Sequence, residues 1–323
     1  MARGDRPLPI KLFLPEGSDA VPVVILSHGG GGSRDANFAQ AQHLASHGYA
    51  VLALEHPGSN TPRLLEGGRY VANLQAMTRD ATEALGRPRD VSFAIDRAAQ
   101  WQAEARPLQG RFDLGRVAVM GHSYGAYTAL VACGARPVLD WLLPAVPPGQ
   151  GLGPDLSDAR VRACVALSPQ GPGAPFFGEA SYASIRRPVL GISGSRDEQQ
   201  GAPPENRRRY FELLPAMAGT AGMAGTASGP TGAPGAAGTP SLGHAFVWLA
   251  NADHTAFSDS SGSGRRGLPS STRTDAQPIT RAATLYFLNA QLRGQTEADS
   301  ALSQAGLKSL LRGRVDAVEV MRK

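Results

Sequence analysis

Residues 117–130 read VAVMGHSYGAYTAL. The run Val117–Met120 is apolar and β-branched, as a buried strand should be, and Ser123–Gly134 has the composition of a helix. Between them lies Gly121-His122-Ser123-Tyr124-Gly125. A serine on so tight a strand-to-helix turn needs small residues two positions away on each side, because larger ones would collide across the turn. The turn lifts the hydroxyl to the carboxyl edge of a sheet, at the N-terminus of the next helix, where the helix dipole favours developing negative charge. Ser123 is therefore the candidate nucleophile.

Outward from this segment, strands alternate with helices. Strands are expected at Ile10–Leu14, Val21–Ser27, Tyr49–Leu54, Val161–Leu167 and Pro188–Ser193, with Ala245–Ala250 as the last. Val21–Ser27 (VPVVILS) is apolar throughout, as a strand buried on both faces is. Helices are expected from an Asp35 cap to Gly48, from an Asp90 cap to about Ala105, over Pro204–Leu214 and over Pro278–Leu292. This order predicts a mostly parallel, doubly wound α/β sheet with helices on both faces. The whole chain, 1–323, reads as one domain. Three segments interrupt it. Residues 135–159 are an apolar, Pro/Gly-rich insertion suited to a small cap. Residues 216–243 are low-complexity Ala/Gly/Thr/Pro, and 258–275 are Ser/Gly-rich; both predict flexible loops.

A nucleophilic serine needs a base, an orienting carboxylate and oxyanion donors. Downstream of Ser123 the histidines are His244 and His254. His244 opens a strand and reads as structural, whereas His254 follows that strand and can return to Ser123. Asp197, past the strand ending at Ser193, is the expected acid; Glu198 and Asp253 are rivals, the latter adjacent to the base and poorly placed to reach its ring. The segment His28-Gly29-Gly30-Gly31-Gly32 follows a strand and lets the backbone approach a substrate closely. The expected oxyanion donors are the N–H groups of Tyr124 and Gly30, with Gly31 as alternative. A dinucleotide loop is disfavoured, because Arg34 stands where G-x-G-x-x-G needs its third glycine. His43 and His47 read as surface residues, His122 as the variable residue of the turn, and His56 as a structural hydrogen-bonder near the catalytic edge.

The remaining composition is restrictive. Net charge is +5, and the runs Arg207-Arg208-Arg209 and Arg265-Arg266 are short and lack interleaved aromatics, so they read as solvated surface and not as a nucleic-acid patch. No metal-ligand motif occurs, so neither metal nor cofactor is expected. No run of about 18 apolar residues predicts a membrane span, and Met1 to Pro9 lacks a signal-peptide core, which points to a cytoplasmic chain. The two cysteines, Cys133 and Cys164, read as buried small hydrophobes; a bridge between them stays open, with nothing in the spacing to require it.

These pieces resemble a family. SHGGGGSR (27–34), ALEHPGSNT (53–61), RPRDVSFAID (87–96), GHSYGAYTA (121–129), SPQGPG (168–173) and PVLGISGSRDE (188–198) are similar, in order, to the dienelactone-hydrolase-like α/β-hydrolases that include platelet-activating-factor acetylhydrolases and related bacterial esterases. The resemblance covers about residues 8–290. It implies the α/β-hydrolase fold, a serine triad without cofactor, and hydrolysis of short-chain or aryl esters as small-molecule substrates. True dienelactone hydrolases carry a cysteine where Ser123 stands, and the insertion at 216–243 is foreign to the family. The turn also resembles that of prolyl-oligopeptidase-type peptidases, which carry a propeller domain in front.

Overall fold

The structure, a computed structural model, describes residues 2–104, 106–199, 201–217, 243–259, 273–310 and 317–323. Among these, eight strands form one sheet: β1 (Ile10–Phe13), β2 (Val21–Ser27), β3 (Ala50–Leu54), β4 (Phe112–His122), β5 (Val161–Leu167), β6 (Val189–Arg196), β7 (Ala245–Asp253) and β8 (Val318–Arg322), in the order β8-β7-β6-β5-β4-β2-β3-β1. The six inner strands run parallel, and the two edge strands pair antiparallel. This is the α/β-hydrolase fold.

Strand alternation divides the core. Val23 and Ile25 of β2 face one apolar cluster, and Val24 and Leu26 the other. The first cluster is closed by α4 (Ala81–Glu104), α5 (Tyr124–Ala132) and α6 (Asn206–Leu213), through Val91, Ile95, Tyr127 and Tyr210. The second is closed by α1 (Phe38–Ser46) and α7 (Arg273–Arg293), through Ala41, Leu44, Ile279 and Leu288. Each fully buried Ile, Leu or Val contributes about 1.5–3 kcal/mol, so both helical layers are held to the sheet by many such contacts.

Several expectations are corrected. The strand Ala245–Asp253 is not the last, because β8 pairs with it from Val318↔Leu249 to Arg322↔Ala245. Asp90 caps nothing: α4 runs from Ala81 through Pro88, and Asp90 lies inside it, fully buried. Asp35 does not cap α1 but pairs with Lys11 at 2.6 Å. The first free N–H groups of α1, on Ala39 and Gln40, donate instead to Asp259 at 2.6 and 3.2 Å. A carboxylate distant in sequence thus replaces a local cap. Two further helices, α2 (Thr61–Leu65) and α3 (Tyr70–Arg79), precede α4.

Cys133 and Cys164 are not two separate hydrophobes. They form a disulfide that ties the end of α5 to β5. The segment 135–159 docks on the α3–α4 junction, where the Leu143 N–H donates to the Arg79 carbonyl and its own carbonyl accepts from Ala81. The stretches 216–243 and 258–275 lie almost wholly outside the described residues. No helix among the described residues is long and apolar enough to cross a membrane.

Candidate active site

Sheet register brings the pieces together. Ser27 of β2 lies opposite Gly121 of β4, and His122 opposite Leu167 of β5, so their carboxyl ends form one edge. Further along, Arg196 of β6 pairs with Asp253 of β7. The next residues, Asp197 and His254, therefore leave the sheet side by side.

Ser123 has φ 56° and ψ −117°, a region that costs a non-glycine residue about 1–3 kcal/mol. The turn is held by the Ser123 N–H donating to the Leu167 carbonyl at 2.9 Å, and by the Gln170 side-chain amide donating to the Ser123 carbonyl at 2.7 Å. Its glycines are required by close approach. A Cβ on Gly125 would run into the Ser27 carbonyl, and one on Gly121 would meet that oxygen at 2.6 Å.

The Ser123 hydroxyl lies 3.0 Å from His254 Nε2, and His254 Nδ1 lies 2.8 Å from Asp197 Oδ1. Asp197 is buried; its other oxygen accepts from the Ser193 hydroxyl at 2.8 Å. Burial alone would raise its pKa, but the His254 and Arg207 charges with their hydrogen bonds outweigh it and hold the carboxyl at about 2. The rivals lie elsewhere. Asp253 accepts from the N–H groups of Thr255 and Ala256, capping the short turn that carries His254. Glu198 is engaged through its backbone carbonyl, with Arg207.

Arg207 overturns the surface reading of its arginine run. It is 3% exposed, whereas Arg208 and Arg209 lie at the surface and pair with Glu319, Glu179 and Glu212. Its guanidinium sits 2.8 Å from Asp197 Oδ1 and 3.1 Å from His254 Nδ1, and donates to the carbonyls of Ser168 and Pro169 at 2.9 and 3.0 Å. His122 was likewise missed as a site residue. It is buried, its ring lies 4.7 Å from that of His254, and its Nε2 donates to the His254 carbonyl at 2.9 Å. Burial and the His254 and Arg207 charges push its pKa down to about 3.

On the other side of Ser123 lies the glycine loop. A Cβ on Gly29 would sit 3.5 Å from the Ser123 Cβ. The Gly31 N–H is committed to the Ser59 carbonyl at 2.8 Å. The Gly30 and Tyr124 N–H groups have no acceptor among the described residues. Helix α3 approaches Gly30 closely: a Cβ there would meet Leu74 Cδ1 at 2.8 Å and Met77 Sδ at 3.5 Å. Leu74, Tyr70 and Val71 are exposed, which gives this side of the loop an apolar helix.

Beneath the loop is a buried polar network. His56 Nδ1 donates to Asp90 Oδ2 at 2.9 Å, and its Nε2 accepts from the Ser27 hydroxyl at 2.9 Å. His28 Nε2 accepts from the His56 N–H at 3.0 Å. Arg6 pairs with Asp90 and Glu83, and Arg3 with Asp90. Burial would raise the Asp90 carboxyl, but hydrogen bonds from His56 and Arg6 hold it at about 2. His244 is distant and structural: its Nδ1 accepts from the Val189 N–H and its Nε2 donates to the Pro215 carbonyl. No group of three or more potential metal-ligand side chains converges among the described residues.

Comparison with known proteins agrees with this architecture. A family model described as the α/β-hydrolase fold matches residues 22–138. Dipeptidyl aminopeptidase BIII of Pseudoxanthomonas mexicana is 32% identical over 176 residues, covering 46% of this chain; the match spans only 22% of that protein's length. The solved structure of a ferulic acid esterase from Streptomyces cinnamoneus superposes with a TM-score of 0.56 at 22% identity, over 95% of this chain and 75% of that one. Sheet order, partial family match and superposition together make this chain an α/β-hydrolase-fold protein.

Proposed function

We propose that the chain is a serine esterase that hydrolyses short-chain or aryl carboxylic esters through an acyl-enzyme on Ser123. The observation that carries the reading is the unbroken hydrogen-bond relay from Ser123 through His254 to Asp197. With Nδ1–H donated to Asp197, His254 presents a lone pair at Nε2. It takes the Ser123 proton as Oγ attacks the ester carbonyl, and returns it to the departing alcohol. Asp197 stays ionised and stabilises the imidazolium. The free N–H groups of Gly30 and Tyr124 are suited to the oxyanion, and Gly31 is less so because its N–H is already bonded. Water activated by His254 then releases the acid. The apolar face of α3 beside Gly30 suits a carbon-rich acid or alcohol portion.

A peptidase is the second reading, favoured by the 32% identity to a dipeptidyl aminopeptidase. Turnover of p-nitrophenyl acetate, measured beside dipeptidyl p-nitroanilides, separates the two. The expected result is an ester burst and slow or absent anilide cleavage; a larger kcat/KM on the anilides would replace the esterase reading. Ser123→Ala should reduce ester turnover by about 10⁴-fold or more, with the fold retained. If that variant kept more than about a tenth of the activity, Ser123 would not be the nucleophile.

A further inference from the structure

We propose that Arg87 is a positioning residue for the oxyanion site, a buried cation that holds the glycine loop and the nucleophile helix at a fixed separation. The inference rests on the esterase reading above, since it assigns Arg87 a part in that reaction.

Arg87 is fully buried, and its donors divide between the two halves of the site. On the loop side, Nη2 donates to the His28 carbonyl, two residues before Gly30, and to the Ser27 hydroxyl at 3.0 Å. Nη1 donates at 2.7 Å to the hydroxyl of Ser59, whose own carbonyl accepts the Gly31 N–H at 2.8 Å. On the helix side, Nε donates at 2.9 Å to Thr128 Oγ1, which in turn donates to the Tyr124 carbonyl at 3.0 Å. The guanidinium carbon also lies 4.3 Å from the centre of the Tyr124 ring. One rigid, planar fork therefore ties the start of the glycine loop, at Ser27 and His28, to Tyr124 on the nucleophile helix.

Burying a guanidinium is costly, and an apolar filling is frequently as stable as a buried ion cluster. Packing alone therefore gives little reason for an arginine here. Geometry does: only a planar group with donors on several edges can bridge four separate oxygens. The ammonium of lysine would keep the charge without the fork. Glu83 and Asp90 offset part of the buried charge. The fork also gives the buried hydroxyls of Ser27, Ser59 and Thr128 a donor, leaving Ser27 free to donate to His56 and Ser59 to Glu83. Each offers an oxygen at a distance that an arginine in α4 can reach.

The test compares full-length wild type with Arg87→Met, Arg87→Lys and Thr128→Val. For each, kcat and KM on p-nitrophenyl acetate are measured together with the inhibition constant of a phenylboronic acid, which forms a tetrahedral anion on the serine. Losing one oxyanion donor typically costs 10²–10³ in kcat, so Arg87→Met should lose about a hundredfold in kcat. Its KM should stay within about threefold, and its boronate affinity should fall in step with kcat. Arg87→Lys should lose nearly as much, because charge without the fork does not hold both halves. If the folded variants bind boronate as wild type does and keep kcat, with only the melting temperature lowered, Arg87 is merely structural and the proposal is overturned. Should neither Arg87 variant fold, the near-isosteric Thr128→Val carries the comparison: unchanged boronate affinity and kcat would equally overturn it. A wild type that neither turns over the ester nor reacts with a fluorophosphonate at Ser123 would instead remove the esterase reading.

Discussion

Acidification should destabilise this protein well before its carboxylates protonate. His56, His122 and His244 are buried, and the fold holds their pKa values at about 4, 3 and 4, against 6.5 unperturbed. The cause is desolvation first in each case. For His56 and His244 it is reinforced by geometry, since each uses one ring nitrogen to accept a hydrogen bond and protonation would break that bond. The unfolded chain takes up these protons near its ordinary histidine pKa, while the folded chain resists to lower pH. Stability is therefore complete above pH 6.5 and declines as pH falls toward 4. Around pH 5 the unfolded state holds roughly three more protons at these positions, which makes the slope about 4 kcal/mol per pH unit. Total stabilities of about 5–15 kcal/mol are typical, so most of the margin would be lost over one to two pH units. Urea unfolding followed by tryptophan fluorescence at about pH 7, 6 and 5 measures this directly. His244→Gln, away from the site, should lower the slope by about 1.4 kcal/mol per pH unit. A stability that is flat from about pH 6.5 to 5, or a slope unchanged in that variant, would refute the reasoning.

Further outcomes follow from other contacts. Asp197→Asn should lower kcat by about 10⁴-fold, because the amide no longer fixes the histidine tautomer. Asp253→Asn should keep most of the activity and nearly all of the stability, because asparagine caps as well as aspartate; near-complete inactivation of Asp253→Asn would reassign the acid. Replacing Cys133 and Cys164 by alanine opens a link between positions 31 residues apart. The denatured-state entropy released corresponds to about 3–4 kcal/mol, to be read as a lowered urea midpoint with ester turnover at wild-type level below the transition.

The sheet was legible because its strands carry their own signal. VPVVILS and VAVM are apolar along their length, and the order of strands and helices follows from punctuation by glycine and proline. β8 escaped notice because VEVMR is a short edge strand that alternates polar and apolar residues. α2 and α3 escaped it because TPRLL is too short, and YVANLQAMTR exposes much of its apolar surface, so neither has a clean buried stripe. Ser123, His254 and Asp197 could be nominated from chain order and strand ends. Their support could not, because it is long-range. Arg207 resembles its two surface neighbours in sequence and differs only in which way α6 turns it. The network of Arg87, His56, Ser59 and Asp90 likewise joins stretches that sequence alone could present only as family-like motifs. It shows what such motifs do physically: they satisfy one another's buried polar atoms beneath the glycine loop.

The disulfide has a consequence for the cell. Cytosolic thiol pools keep cysteines reduced, and disulfides persist where the surroundings are oxidising. The bridged form of this chain is therefore the one that oxidising surroundings would preserve, and reducing surroundings would favour the dithiol. Both sulfurs sit under packed side chains, with Cys133 at 2% and Cys164 at 0% exposure, so an oxidant or isomerase must reach them before α5 settles onto β5. Chain made in a reducing cytosol would lock its thiols inside the finished fold. The history of synthesis, and not only the final surroundings, would then decide which of two covalent forms is purified.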